Sequence, residues 1–142
     1  MGDIAVTAAK VAPVFPEKAE IFTGIAGTTI TAGQVVYGVA STGLLGLADE
    51  NAGAEESAAL GIALNGGGAG QAIDVLRKGH VYGFEVSSLA YWLPCSLSNT
   101  AGALLDTGAT TNILARVEPL ADANRTKVLY VDCGLGMPTA FA

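Results

Sequence analysis

Charge is what this sequence has least of. Asp, Glu, Lys and Arg make up 14% of its 142 residues, whereas an average globular chain carries about 25%. Only seven residues are Lys or Arg, and only Arg77 and Lys78 adjoin. A phosphate-binding face needs clustered cations, so nucleic acid is not an expected partner. There is one histidine, His80, too little for a histidine-based metal or acid–base centre; it reads as a surface strand residue. The two cysteines, Cys95 and Cys133, have no CxxC or Cys–His spacing. They read as free, mostly buried thiols, and a disulfide would require their segments to be neighbours. No apolar run approaches the roughly 20 residues that cross a bilayer. The N-terminus lacks the basic region and apolar block of a secretory leader. A soluble protein made without export, with no membrane partner, is expected.

What is present is apolar and small. Hydrophobic residues make up 51% of the chain, with a mean hydropathy of +0.47, in a length suited to one domain. The surface left after folding must be poor in charge and rich in Ala, Gly, Thr and Ser. Such a surface suits contact with other protein.

Residues 1–27 read as an extended N-terminal arm. Pro13 and Pro16 bar a central strand or helix interior there. Its apolar residues Ile4, Val6, Val11, Val14, Phe15, Ile21 and Phe22 call for docking, on a neighbour or on the chain's own body. The arm is expected to be separable, so that removing residues 2–16 leaves a folded remainder. Residues 28–142 read as the β-body. Short runs of Val, Ile, Thr, Tyr and Leu set off by glycine corners place strands at 28–30, 35–40, 44–47, 58–64, 72–76, 79–85, 91–93, 104–105, 113–117 and 127–131. The acidic stretch 49–59 reads as a loop leading into a strand, with a short helix as the alternative.

A weak echo runs through the body. Gln34-Val35-Val36-Tyr37 matches Leu89-Ala90-Tyr91-Trp92, Leu47-Ala48-Asp49 matches Leu104-Leu105-Asp106, and Val75 with Gly79 matches Tyr130 with Gly134. The echo allows two related β-halves, the alternative being the chance likeness of short apolar strands with glycine turns; the fold expected is all-β, a compact β-sandwich or small β-barrel with the arm appended.

No constellation for catalysis emerges. Asp49, Glu50, Glu55 and Glu56 lack calcium-loop spacing, and Asp74, Asp106, Asp122 and Asp132 are isolated. The run Asn65-Gly66-Gly67-Gly68-Ala69-Gly70 lacks the Lys-Ser/Thr of a phosphate loop and precedes a strand. A run so permissive is costly to order, so it stays mobile or is held by a partner. No enzyme activity, cofactor or metal is expected. Among the aromatics, Tyr82, Phe84, Tyr91 and Trp92 stand close together in sequence. If 91–93 is a strand, Tyr91 and Trp92 face opposite sides, one entering the core and the other anchoring an interface.

The segment Asp3-Ile4-Ala5-Val6-Thr7-Ala8-Ala9-Lys10-Val11, followed by Gly24-Ile25-Ala26-Gly27-Thr28-Thr29-Ile30-Thr31-Ala32-Gly33-Gln34-Val35-Val36-Tyr37 and then Leu60-Gly61-Ile62-Ala63-Leu64-Asn65 with Gly70-Gln71, resembles the capsid decoration, or cement, proteins of tailed bacteriophages. The likeness covers roughly the first 80 residues, and Tyr91-Trp92-Leu93-Pro94-Cys95 departs from it. It implies a non-enzymatic virion protein, made in the host cytoplasm, that binds the outer capsid surface. There it would stabilise the head by bridging major capsid subunits, as a homotrimer or dimer. Ile4, Val6, Val11, Val14, Phe15, Tyr91 and Trp92 are the candidate capsid or subunit contacts. The rival reading is a carbohydrate- or receptor-binding β-module, a head fibre or adhesin domain, with Trp92 and Tyr91 as stacking platforms.

Overall fold

β-Branched and leucine-rich runs alternate with glycine corners along most of the chain, and the folded structure follows that rhythm. A computed structural model describes residues 2–106 and 112–133. Among these, ten strands occur: β1 (Ala12–Pro13), β2 (Glu20–Ile25), β3 (Val35–Gly38), β4 (Leu45–Leu47), β5 (Ala59–Ala63), β6 (Ala72–Tyr82), β7 (Pro94–Leu97), β8 (Leu104–Leu105), β9 (Ile113–Pro119) and β10 (Lys127–Asp132). They form one sheet in the order β4-β3-β5-β6-β10-β9-β7-β8, with β1 and β2 also on β6. The protein is all-β, and its antiparallel sheet curls into a half-barrel.

The long strand β6 is the spine, and a bulge lets it serve two sets of neighbours. Glu20 pairs with Lys78 and Ile21 with Leu76, leaving Arg77 without a partner in β2. A bulge reverses which edge successive carbonyls face. Before it, Asp74 O accepts from Leu64 N beside β5, and Gln71 O accepts from Ala26 N beside β2. After it, Arg77 O accepts from Cys133 N beside β10, and His80 O accepts from Val14 N beside β1. One edge of β6 therefore passes from β5 to β10, and the other carries the N-terminal strands.

The two sides of the sheet repeat one connectivity. A hairpin (β3–β4, β7–β8) is followed by a strand on the hairpin's inner member (β5, β9), then by one of the central pair (β6, β10). The sequence echo matched β4 with β8 and β6 with β10. It misplaced the first pair: Val35–Tyr37 lie in β3, but Leu89–Trp92 form a turn ahead of β7. Gly134 lies outside the described residues.

Both outer edges of the sheet are met by the N-terminal stretch. Asp3 bridges Leu105 on β8, and Ala26 bridges Leu45 on β4. Val35 N donates to Gly102 O, and Gly102 N to Ala48 O, joining the two halves across the open side. The main core gathers Val35, Ile62, Leu76, Val81, Leu97, Leu104, Val117 and Leu129. A second cluster holds Ile30, Val36, Leu45, Ile73 and Val75. Each such side chain contributes about 1.5–3 kcal/mol by leaving water.

Several expectations change. Residues 28–30 form no strand; Ile30 alone bridges Gly67, with backbone bonds of 2.9 and 2.8 Å. That bridge, with Gly70 N on Ala26 O, fastens the glycine-rich corner to the chain itself. The segments 72–76 and 79–85 are one strand, interrupted by a bulge rather than a loop, that ends where Gly83 turns at φ +103°. Residues 91–93 are a turn, and within 1–27 the stretch Glu20–Ile25 is strand β2.

Candidate functional site

The N-terminal residues expected at an interface divide by burial. Ile4 and Val11 turn inward and join the main core at 6% and 9% exposure. Neither offers surface while the segment is docked. Val14 is half-buried, whereas Val6 and Phe15 remain exposed. The segment lies on its own body: Thr7 N donates to Gly83 O, Glu85 N to Ala5 O, and Val14 N to His80 O.

Among the described residues, large exposed hydrophobic side chains fall into two groups. Val6, Phe15, Ile21, Ile25 and Tyr82 line the flank of β6 that carries the N-terminal strands. Ile21, Thr23 and Ile25 alternate outward along β2, while Phe22 and Gly24 sit opposite the buried Val75 and Ile73. Ladder pairing of β2 is with β6 alone. A strand with an unladdered edge and an apolar outer face is a template for contact with another chain. Beside it, Glu20, Ile21, Phe22 and Arg77 line a hollow, where the Arg77 guanidinium meets the Glu20 carboxylate at 2.7 Å. Exposed on both sides, that pair contributes little to stability.

The second group is Tyr91, Trp92 and Ile113. The apolar run at 91–93 had suggested that one of its aromatics enters the core, but both stay outside, at 40% and 58% exposure. The reason is backbone conformation. Trp92 adopts φ +67°, a left-handed geometry that costs a bulky residue about 1–3 kcal/mol and breaks strand alternation. Trp92 N donates to Val117 O at 2.7 Å and Val117 N to Leu93 O at 3.1 Å, which fastens the turn to β9. Tyr91 is pinned too: its hydroxyl donates to Arg125 O at 3.0 Å, and Lys127 Nζ sits 4.6 Å from its ring centroid.

Strand register joins the two groups. Pro94 pairs with Arg116, Arg116 with Tyr130, and Tyr130 with His80, so these side chains form one row across β7, β9, β10 and β6. At one end Phe15 sets its ring edge-on to His80, with centroids 5.5 Å apart. At the other, the Arg116 guanidinium lies 5.6 Å from the Trp92 ring and 5.4 Å from that of Tyr130. Glu118 accepts from His80 Nε2 at 2.8 Å and also from Arg116 Nε. Burial by itself raises the Glu118 pKa, but these two donors outweigh it and hold the carboxyl below its usual range. His80 is thus a surface strand histidine held by a carboxylate and two aromatic rings.

Trp92, Ile113, Arg116, Tyr130 and Asp132 border a groove of ≈ 490 Å³. Arg116 and Tyr130 did not stand out in the sequence, because what gives them a role is the register that places them beside Trp92. No group of three or more His, Cys, Asp or Glu side chains suited to a metal ion occurs among the described residues. Both cysteines are free. No protein-family model, curated protein or solved structure matches the chain.

Proposed function

We propose that this chain is a capsid decoration protein of a tailed bacteriophage, a cement protein that binds the outer face of the assembled head and bridges major capsid subunits. The observation that carries the reading is the apolar flank: β2, with Ile21 and Ile25 both 42% exposed, on a body with only 14% charged residues. Interface cores are depleted in charge in the same way. The resemblance of the first part of the sequence to cement proteins points in the same direction.

The mechanism is mechanical rather than chemical. A ten-stranded sheet with its N-terminal stretch laid over both outer edges is a stiff element, and stiffness limits the ordering entropy lost on docking. As a homotrimer on local three-fold positions, several modest contacts would act together, each raising the effective concentration of the next.

The test is co-sedimentation with undecorated heads built from the major capsid protein of the same phage. The native protein should pellet with the heads, and the double variant Ile21→Lys, Ile25→Lys should stay in the supernatant while remaining folded. A native protein that ignores such heads, or a double variant that coats them equally well, would overturn the reading.

A further inference from the structure

We propose that Asn65 is a deamidation site gated by the fold: its side-chain amide is spared while it latches β5 to β6, is lost when that corner opens, and leaves a carboxylate that does not re-form the latch. The latch lies on the edge of β6 that faces β5, opposite the edge that carries β2, so it stands apart from head decoration.

The paired register of β5 and β6 runs to Ala63 opposite Val75, and the Leu64 N–H then donates to Asp74 O at 2.7 Å. The Asn65 side chain supplies the next rung. Its Oδ1 accepts from Asp74 N at 2.7 Å, and its Nδ2 donates to Ala72 O at 3.1 Å. A planar amide with an acceptor and two donors imitates a peptide group here, and its Nδ2 also reaches Gly66 O at 3.3 Å. Beyond it the glycine-rich corner is held by the bridge of Ile30 to Gly67 and by Gly68 N on Gln71 Oε1 at 2.7 Å.

The residue that follows makes this amide chemically vulnerable. Asn65-Gly66 is the chain's one Asn-Gly pair, and a glycine has no side chain to shield its own nitrogen. Gly66 is exposed, and among the described residues its N–H has no hydrogen-bond acceptor. Once deprotonated, that nitrogen attacks Asn65 Cγ. A bond from Cγ to the Gly66 nitrogen forms, the bond from Cγ to Nδ2 breaks, and ammonia leaves a five-membered imide. Water then opens the imide at one carbonyl or the other, giving aspartate or isoaspartate at position 65, with no change of oxidation state. Attack makes the planar Cγ tetrahedral and expels Nδ2, so it cannot proceed without giving up the bonds to Ala72 and Asp74. The product still accepts from Asp74 N, but a carboxylate has no N–H for Ala72 O or Gly66 O, and those carbonyls then face negative charge.

The intact protein, folded or unfolded in guanidinium chloride, would be held at pH 8 and one temperature and sampled by peptide mapping with mass spectrometry. Conversion at Asn65 should be slower in the folded protein by about tenfold or more, because it waits on local opening. Folded protein aged to partial conversion would be split by anion exchange, since the product carries one negative charge beyond the chain's formal −6. In the converted fraction, and in Asn65→Asp, the amides of Leu64, Gly67 and Asp74 should exchange hydrogen about tenfold faster or more than in the native protein, while those of β9 keep their native rates. Equal conversion rates in folded and unfolded protein, no conversion at Asn65 in either, or native exchange rates in both the converted fraction and Asn65→Asp would each overturn the proposal.

Discussion

The backbone N–H of Ile4 donates to the carbonyl of Leu104 at 2.8 Å, and both side chains lie in the same buried cluster. The first residues of the chain are thereby built into the body. Ile4→Ala should cost about 2–5 kcal/mol, and removing residues 2–16, which also takes Val11 from the core, should cost more. Urea denaturation followed by circular dichroism measures both. A truncated protein that unfolds at the same midpoint as the intact chain would restore the separable arm that the sequence suggested.

Gly61 is required by close approach between strands. A Cβ at this position would lie 2.3 Å from Leu76 O and 2.7 Å from Val75 Cγ1, and backbone cannot yield as a flexible side chain can. Gly61→Ala should destabilise by about 1–3 kcal/mol or more, visible as a lowered thermal midpoint. An unchanged midpoint would mean that β5 and β6 are farther apart than described.

Glu118 makes stability depend on acid. Its carboxyl is held below the ordinary value by hydrogen bonds from His80 and Arg116, against the opposing effect of burial. A lowered folded-state pKa means that its contribution is complete above the unfolded value, about 4.3. That contribution is lost as pH falls through the folded value. Between pH 7 and pH 3 the native protein should lose more stability than Glu118→Gln. Parallel declines in the two proteins would refute this.

The thiols should be inert at neutral pH. Burial, then the nearby Asp106 carboxylate, pushes Cys95 up to about 11. Burial, then Asp132, pushes Cys133 up to about 12. Only a thiolate attacks an aromatic disulfide reagent. At pH 8 the folded protein should react slowly, and the urea-unfolded protein should release two equivalents at once. Rapid labelling of the folded protein, or fewer than two equivalents after unfolding, would contradict the geometry.

Much of the fold was legible because each half spells its strands in apolar runs cut by glycine. What misled was local grammar read without its partner. Pro13 and Pro16 drew attention to an arm and away from the alternation of Ile21, Thr23 and Ile25, which marks β2 as a half-covered strand. Tyr91-Trp92-Leu93 has strand propensity, yet Trp92 takes a positive φ, with its N–H on Val117 O and Leu93 O accepting from Val117 N. The interaction surfaces were only half visible. Phe15, Tyr91 and Trp92 stood out as candidate contacts, but the row that joins Phe15 to Trp92 through His80, Tyr130 and Arg116 depends on register across four strands, and residues so distant in sequence carry no signal of adjacency.

The seal made by the N-terminal stretch also imposes an order of events. Asp3 rests on Leu105 and Ala26 on Leu45, so this stretch has nowhere to settle until strands translated after it are in place. A stretch translated before its partners is therefore among the last to dock. A bulky fusion ahead of Gly2, whose amide donates to Asp106, would obstruct that last step more than one attached to an internal loop.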